Sequence, residues 1–332
     1  MCWRGRVAPT GRYAAACQSY LTLAESYVEA EQYATAVEFH EKVLEICLAA
    51  HDMVGAAEAH GRLGRIHATT GDMEAAITRH EQQVAVATAA GPEAMEQKRD
   101  GQRNLVSAYG QEASDAEKAG DVASAIATYE KCLEAARACG DVAGEGLTQH
   151  RLGMTLAAGG ETERAMQCQR LYRDACAAQQ PPDLAGQGKA CQALAAAADA
   201  MGDTEAASTY LEECIELASR AEDTAAQSRG CAALGALYRT GGNHASSVQY
   251  FEKFFELARA AETEDDDTDE PKVEDGPAGT LGLTDTARAA LGLARGNAQM
   301  ALFAEVVQKD LPGLLAWRNR RTPLADPGSA AA

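Results

Sequence analysis

A two-residue turn recurs six times along the chain, and this repeat limits the fold more than any other feature. The copies are Glu31-Gln32, Gly71-Asp72, Gly120-Asp121, Gly160-Glu161, Gly202-Asp203 and Gly242-Asn243, at spacings of 40, 49, 40, 42 and 40 residues. Five residues after the first member of each turn stands a small residue: Ala36, Ala76, Ala125, Ala165, Ala207 and Ser247. Four residues further on stands a bulkier one: His40, His80, Tyr129, Gln169, Leu211 and Phe251. Seven beyond that the chain is small again, at Cys47, Ala87, Ala136, Cys176, Ala218 and Ala258. A breaker follows in most copies: Asp52, Pro92, Asp141, Pro181 and Asp223. Upstream of the turn come large-small pairs: Leu23-Ala24, Leu63-Gly64, Leu152-Gly153, Leu194-Ala195 and Leu234-Gly235.

The register translates into geometry. Glycine at the turn takes a positive φ and ends one helix. The Asp beside it caps the start of the next. Small residues let two helix backbones approach, and large ones fill the spaces between them. One helix pair cannot bury its apolar face alone, so neighbours must stack. The expected fold is all-α: a superhelical solenoid of antiparallel helix pairs, with repeats of about 40 residues over 13–261. Composition agrees, since 72 residues are Ala and only 19 are Val or Ile, too few β-branched residues for a large sheet. The 49-residue spacing predicts a first helix in the third copy about two turns too long.

Residues 1–12 read as an N-terminal extension. Glu262–Asp275 holds nine acidic residues and one Lys, followed by Gly276, Pro277 and Gly279. Such a segment buries too little to offset its ordering entropy, so 262–280 is expected to be a disordered loop. Helical periodicity resumes near Leu283. Ala287, Leu291, Ala294, Met300, Phe303, Val306 and Val307 suggest capping helices over 281–321, ending in a short helix around Leu311–Trp317. Residues 322–332 read as a disordered tail.

The chain has 30 Lys and Arg against 49 Asp and Glu, a formal net charge of −19. Nucleic-acid backbones need a basic face, so no nucleic-acid partner is expected. No run of 18 apolar residues exists to cross a membrane. Ten cysteines are scattered with no CxxC pair, which favours a reducing intracellular compartment over a disulfide framework.

Chemical motifs fail one after another. His40-Glu41 and His80-Glu81 begin like zinc-protease helices, but Leu44 and Val84 stand where the second His belongs. His60 and His67 lack a third ligand nearby. Gly186-Gln187-Gly188-Lys189 resembles the end of a phosphate loop, but Ala190 replaces the required Ser or Thr. No cysteine has a readable catalytic partner. The expectation is a chain that is not an enzyme and takes no metal and no cofactor.

The repeat resembles the tetratricopeptide repeat over residues 13–261, with units longer than the usual 34 residues. The resemblance implies a protein–protein interaction scaffold whose first helices line a concave face. By that mapping Arg65, Arg103, His150, Lys189, Gln192, Arg229 and Arg239 are candidate partner-binding residues, with Glu58, Met154 and Asp199 near them. Basic residues gathered there in an acidic chain suggest an extended or helical ligand carrying acids. The Lys-Asn clamp of chaperone-binding members is absent, as Gly61 and Arg65, or Gln192 and Ala196, show at the matching positions. Among long-repeat members the chain is most similar to those of motile cilia. That likeness implies a cytoplasmic protein of the ciliary or flagellar axoneme, partnered by axonemal dynein or microtubule-associated subunits. Two alternatives remain open: a spindle-orientation-type signalling adaptor, and a regulatory subunit that positions a separate enzyme.

Overall fold

The computed structural model describes residues 11–266 and 282–309, with Pro312 and Leu315. Among these there is no strand. The chain divides into two compact units, Met1–Ala175 and Cys176–Ala332. The first contains α1 (Gly11–Glu29), α2 (Tyr33–Ala49), α3 (Met53–Thr69), α4 (Met73–Ala90), a short 3-10 turn (Gly91–Ala94), α5 (Met95–Ala119), α6 (Val122–Cys139), α7 (Val142–Ala158) and nearly all of α8 (Thr162–Ala177). The second contains α9 (Leu184–Ala200), α10 (Thr204–Arg220), α11 (Thr224–Thr240), α12 (His244–Asp266) and α13 (Leu283–Lys309). From α1 to α7, and again from α9 to α13, each helix packs on the next, and α3 and α7 also touch α5.

The turns work as the register requires. Gly71, Gly120, Gly160, Gly202 and Gly242 have φ between 78° and 84°, the left-handed region that ends a helix at no Cβ cost. In the first copy Glu31 takes φ 58° without that freedom. The Asp72, Asp121 and Asp203 carboxylates then accept the backbone N–H of Ala75, Ser124 and Ala206 at 3.1, 3.0 and 3.0 Å. Each such cap is worth about 1 kcal/mol. The breaker positions hide the same device. Asp52, Asp141 and Asp223, with Asp183 beyond Pro181, accept from Gly55, Gly144, Ala226 and Gly186 at 2.8–3.0 Å.

The large-small register forms the interior. All six bulkier residues are at most 6 % exposed, and their six small partners are buried. A Cβ added to Gly64 would stand 2.5 Å from the His80 ring; on Gly153 it would stand 2.6 Å from Gln169 Nε2, and on Gly235 3.1 Å from the Phe251 ring. These glycines mark where one helix admits a side chain of the next. The long third spacing appears in α5, which has 25 residues where α3, α7, α9 and α11 have 17 each.

At the far end α13 lays Ala287, Leu291 and Ala294 against Phe251, Phe254 and Ala258. Full burial of a phenylalanine is worth about 1.5–3 kcal/mol, so this contact closes the apolar end of the second unit. The cap is shorter than its periodicity suggests. Met300, Phe303 and Val307 are exposed, and the Val306 side chain lies outside the described residues, as do Leu311, Trp317 and the tail. α12 runs on to Asp266, five residues into the stretch read as a loop; 267–281 are outside the described residues.

Candidate partner-binding surface

The candidate residues fall into three settings. On α3 in the first unit, Arg65 is exposed at a groove of about 590 Å³ lined also by Glu25, Glu29, Tyr33, His40 and Arg62. Arg62 donates to Glu25 at 2.7 Å and to Glu58 at 2.8 Å, so Glu58 is tied down within the surface. Arg65 makes no ion pair among the described residues. His40 is buried and its Nδ1 has no hydrogen-bond partner among the described residues. Burial, then the charge of Arg62, lowers its pKa to about 4, with Glu25 opposing and Arg65 reinforcing. The imidazole is therefore neutral at pH 7.

Arg103 and His150 are engaged elsewhere. Arg103 is exposed on α5 and pairs with Asp100 at 3.0 Å, one turn earlier. Exposed pairs of this kind contribute little. His150 on α7 is half-buried: its Nδ1 meets Gln169 Oε1 at 2.8 Å, and its ring lies 4.7 Å from that of Tyr172. Gln169 Nε2 donates back to the His150 carbonyl at 3.0 Å. This closed exchange fills the opening above Gly153 and leaves His150 a packing role. Met154, one turn on, is exposed.

The second unit brings three candidates together. Lys189 and Gln192 on α9 and Arg229 on α11 line one crevice of about 50 Å³, with Cys214 and Ala218 of α10 at its floor and Asp223 at its edge. All three side chains are exposed. Neither Lys189 nor Arg229 pairs with a carboxylate among the described residues. Arg239 sits half-buried in the last turn of α11, also without an ion pair there, and Asp199 is exposed near the end of α9. The arrangement offers two cations without an ion pair among the described residues, about an amide and beside Asp223, a fit for carboxylates presented by an extended or helical segment.

Sequence reasoning missed the counterpart of this crevice in the first unit. There Tyr13, Leu21, Val43, Ile46, Ala50 and Ala59 enclose about 210 Å³ that is largely apolar. Aligning Asp52 with Asp223 places Glu58 on Arg229 and Leu21 on Gln192. The same architectural position is thus cationic in one unit and apolar, with an ion-paired acid, in the other. The alignment was available in the repeat register; the signal lay in comparing copies position by position.

No arrangement of three or more His, Cys, Asp and Glu able to hold a metal ion occurs among the described residues. None of the described helices is long and apolar enough to cross a membrane.

Two family models, both described as tetratricopeptide repeat, match the chain: one over residues 15–89, the other over 106–139, 188–220 and 228–260. No curated protein matches. Among solved structures the chain is similar to BtubC from P. vanneervenii, with 14 % identity, a TM-score of 0.46, and coverage of 78 % of this chain and 98 % of that one. It is similar to a Signal Transduction ATPase with Numerous Domains protein with a tetratricopeptide repeat sensor from Pyrococcus horikoshii, at 14 % identity and TM-score 0.47, covering 89 % of this chain and 43 % of that one. The C-terminal part of a TPR repeat-containing protein from Cytophaga hutchinsonii matches at 14 % identity and TM-score 0.39, over 74 % and 98 % of the two chains.

Proposed function

This is a tetratricopeptide-repeat chain, and on that premise we propose that it is a non-catalytic scaffold that binds acidic segments of other proteins on the first helices of its second unit. The observation that carries the reading is the meeting of Lys189, Gln192 and Arg229 at one crevice, with both cations unpaired among the described residues, in a chain of net charge −19. Two unpaired cations meeting at one crevice of an acidic chain mark a place where a carboxylate can dock. Replacing Lys189 and Arg229 together by Glu removes the site without touching the interior. It should weaken capture of the chain's partners by about tenfold, the effect of about 1.4 kcal/mol, with an unmoved circular-dichroism melt. Unchanged capture would overturn the reading.

The finer assignment is to the ciliary or flagellar axoneme, with dynein or doublet-microtubule subunits as partners. Its support is a resemblance in pattern, not a matched sequence, to tetratricopeptide repeat protein 29 of motile cilia: the 40-residue unit, the Gly-Asp turns, and segments such as Ala206–Ala218 and Leu291–Val307. A tagged chain should then remain with detergent-extracted axonemes. Its complete release into the detergent-soluble fraction would sink the axonemal assignment while leaving the scaffold reading intact.

A further inference from the structure

The apolar crevice of the first unit holds two thiols. Cys17 of α1 and Cys47 of α2 both line it, and Cys17 packs against the cluster that contains Cys47. Cys47 is 5 % exposed within the cluster of Val43, Leu44, Ala56, Ala59 and Leu63, and Cys17 packs half-buried against that cluster. Space for the Cys47 sulfur comes from Gly55 at the start of α3, where a Cβ would stand 2.9 Å from Sγ.

Packing alone does not call for this pair of sulfurs. Under the alignment of Asp52 with Asp223, Gly188 takes the place of Cys17 and Ala218 the place of Cys47, and Ala226 replaces Gly55. The second unit builds the same crevice from those residues. The first unit therefore carries two thiols, side by side and reached through an opening, where the repeat needs only small residues.

We propose that Cys17 and Cys47 form an oxidisable dithiol, which a hydroperoxide entering the crevice converts to a disulfide that pins α1 to α2. The Cys17 thiolate attacks the distal peroxide oxygen; the O–O bond breaks and the alcohol leaves with a proton. Cys17 is then a sulfenic acid. Cys47 Sγ attacks the Cys17 sulfur, the S–O bond breaks, and the hydroxyl leaves as water with the Cys47 proton. Two thiols lose two electrons, and one hydroperoxide is reduced to an alcohol and water. The order follows from the surroundings. Cys17 is the more exposed. Burial first, then the charge of Cys17, push the Cys47 thiol up to about 12, so Cys47 is a poor first nucleophile. The sulfenic acid at Cys17 supplies the leaving group that the attack of Cys47 needs.

The consequence is mechanical. α1 meets α2, and elements with few packed contacts open with the least free energy. A bridge between residues 17 and 47 removes the freedom of the chain between them in the opened state.

The test uses the full chain, folded, treated with tert-butyl hydroperoxide and digested without reduction. A peptide containing Cys17 should be joined to one containing Cys47, with the mass lower by about 2 Da for the two hydrogens lost. Amide exchange of α1 should slow by about tenfold or more. Cys47→Ser should leave Cys17 as a sulfenic acid trapped by dimedone, and Cys17→Ser should leave Cys47 reduced. The proposal is overturned if Cys17 in the wild-type chain stays a thiol, stops at a dimedone-reactive sulfenic acid, or is joined to another cysteine. The wild-type map decides these outcomes whether or not either variant folds.

Discussion

Replacing Gly64 by Ala should destabilise the first unit, although the same change in an ordinary helix interior stabilises it. An added Cβ would stand 2.5 Å from His80 Cε1 and 2.7 Å from each ring nitrogen. The ring is 2 % exposed, and its Nδ1 lies 3.2 Å from Gln83 Oε1. It cannot retreat without leaving its place between α3 and α4. Overpacking of this kind costs about 1–3 kcal/mol, and loss of the Gln83 contact adds about 1 kcal/mol. Alanine returns about 1 kcal/mol of helix propensity. The net expectation is a loss of about 1–3 kcal/mol. Gly110 of α5 is the control, because a Cβ there meets nothing within 4 Å, and Gly110→Ala should gain about 0.5–1 kcal/mol. Urea unfolding followed by circular dichroism measures both, with amide exchange of α3 and α4 locating the loss. Adding His80→Ala to Gly64→Ala should recover part of it, an interaction energy read from the double-mutant cycle. If Gly64→Ala is as stable as Gly110→Ala, the large-small register is not what holds the helix pair together.

Acid should loosen the first unit. Burial lowers the pKa of His40, His60 and His80, so the unfolded chain takes up protons that the folded chain refuses. Stability is full above the unfolded value near 6.5 and falls as pH drops toward about 4. For His40 alone the loss at pH 5 is about 2 kcal/mol; urea midpoints at pH 7 and 5 for the wild type and His40→Gln measure it, with a smaller drop expected in the variant. Asp183→Ala removes the carboxylate that accepts from Gly186 at 2.8 Å and should cost about 1 kcal/mol, seen as faster exchange at the start of α9. Deleting the chain from residue 282 onward uncovers Phe251, Phe254 and Ala258 and should cause concentration-dependent aggregation in light scattering; a monodisperse product would show that α13 is not a cap.

The architecture was legible wherever both partners of a contact sit at fixed spacings. Gly71 and Asp72 define a turn on their own, and the offsets linking Gly64 to His80 and Gly235 to Phe251 specify which helices meet. The length of α5 follows from the 49-residue interval. Side-chain roles at the surface were less legible, because register gives a direction but not a neighbour. His150 points as a first-helix residue should, yet Gln169, at the bulky position of the next helix, is polar and takes both its ring nitrogen and its carbonyl. The far half of α13 keeps an apolar spacing, but among the described residues the buried contact with α12 is made by Ala287, Leu291 and Ala294, and Met300 and Phe303 are at the surface. Lys189, Gln192 and Arg229 came together because α9 and α11 carry them at facing positions of successive repeats.

The central claim is that the crevice between α9 and α11 receives an acidic segment. Fluorescence anisotropy with an array of labelled peptides, varied in the number and spacing of their Glu residues, tests it directly. The wild-type chain should bind a subset with two suitably spaced carboxylates. Lys189→Glu with Arg229→Glu should weaken that binding by about tenfold or more, and added salt should weaken it in the wild type. Equal binding by the wild type and the double variant, or no preference of the wild type for acidic over neutral peptides, would contradict it.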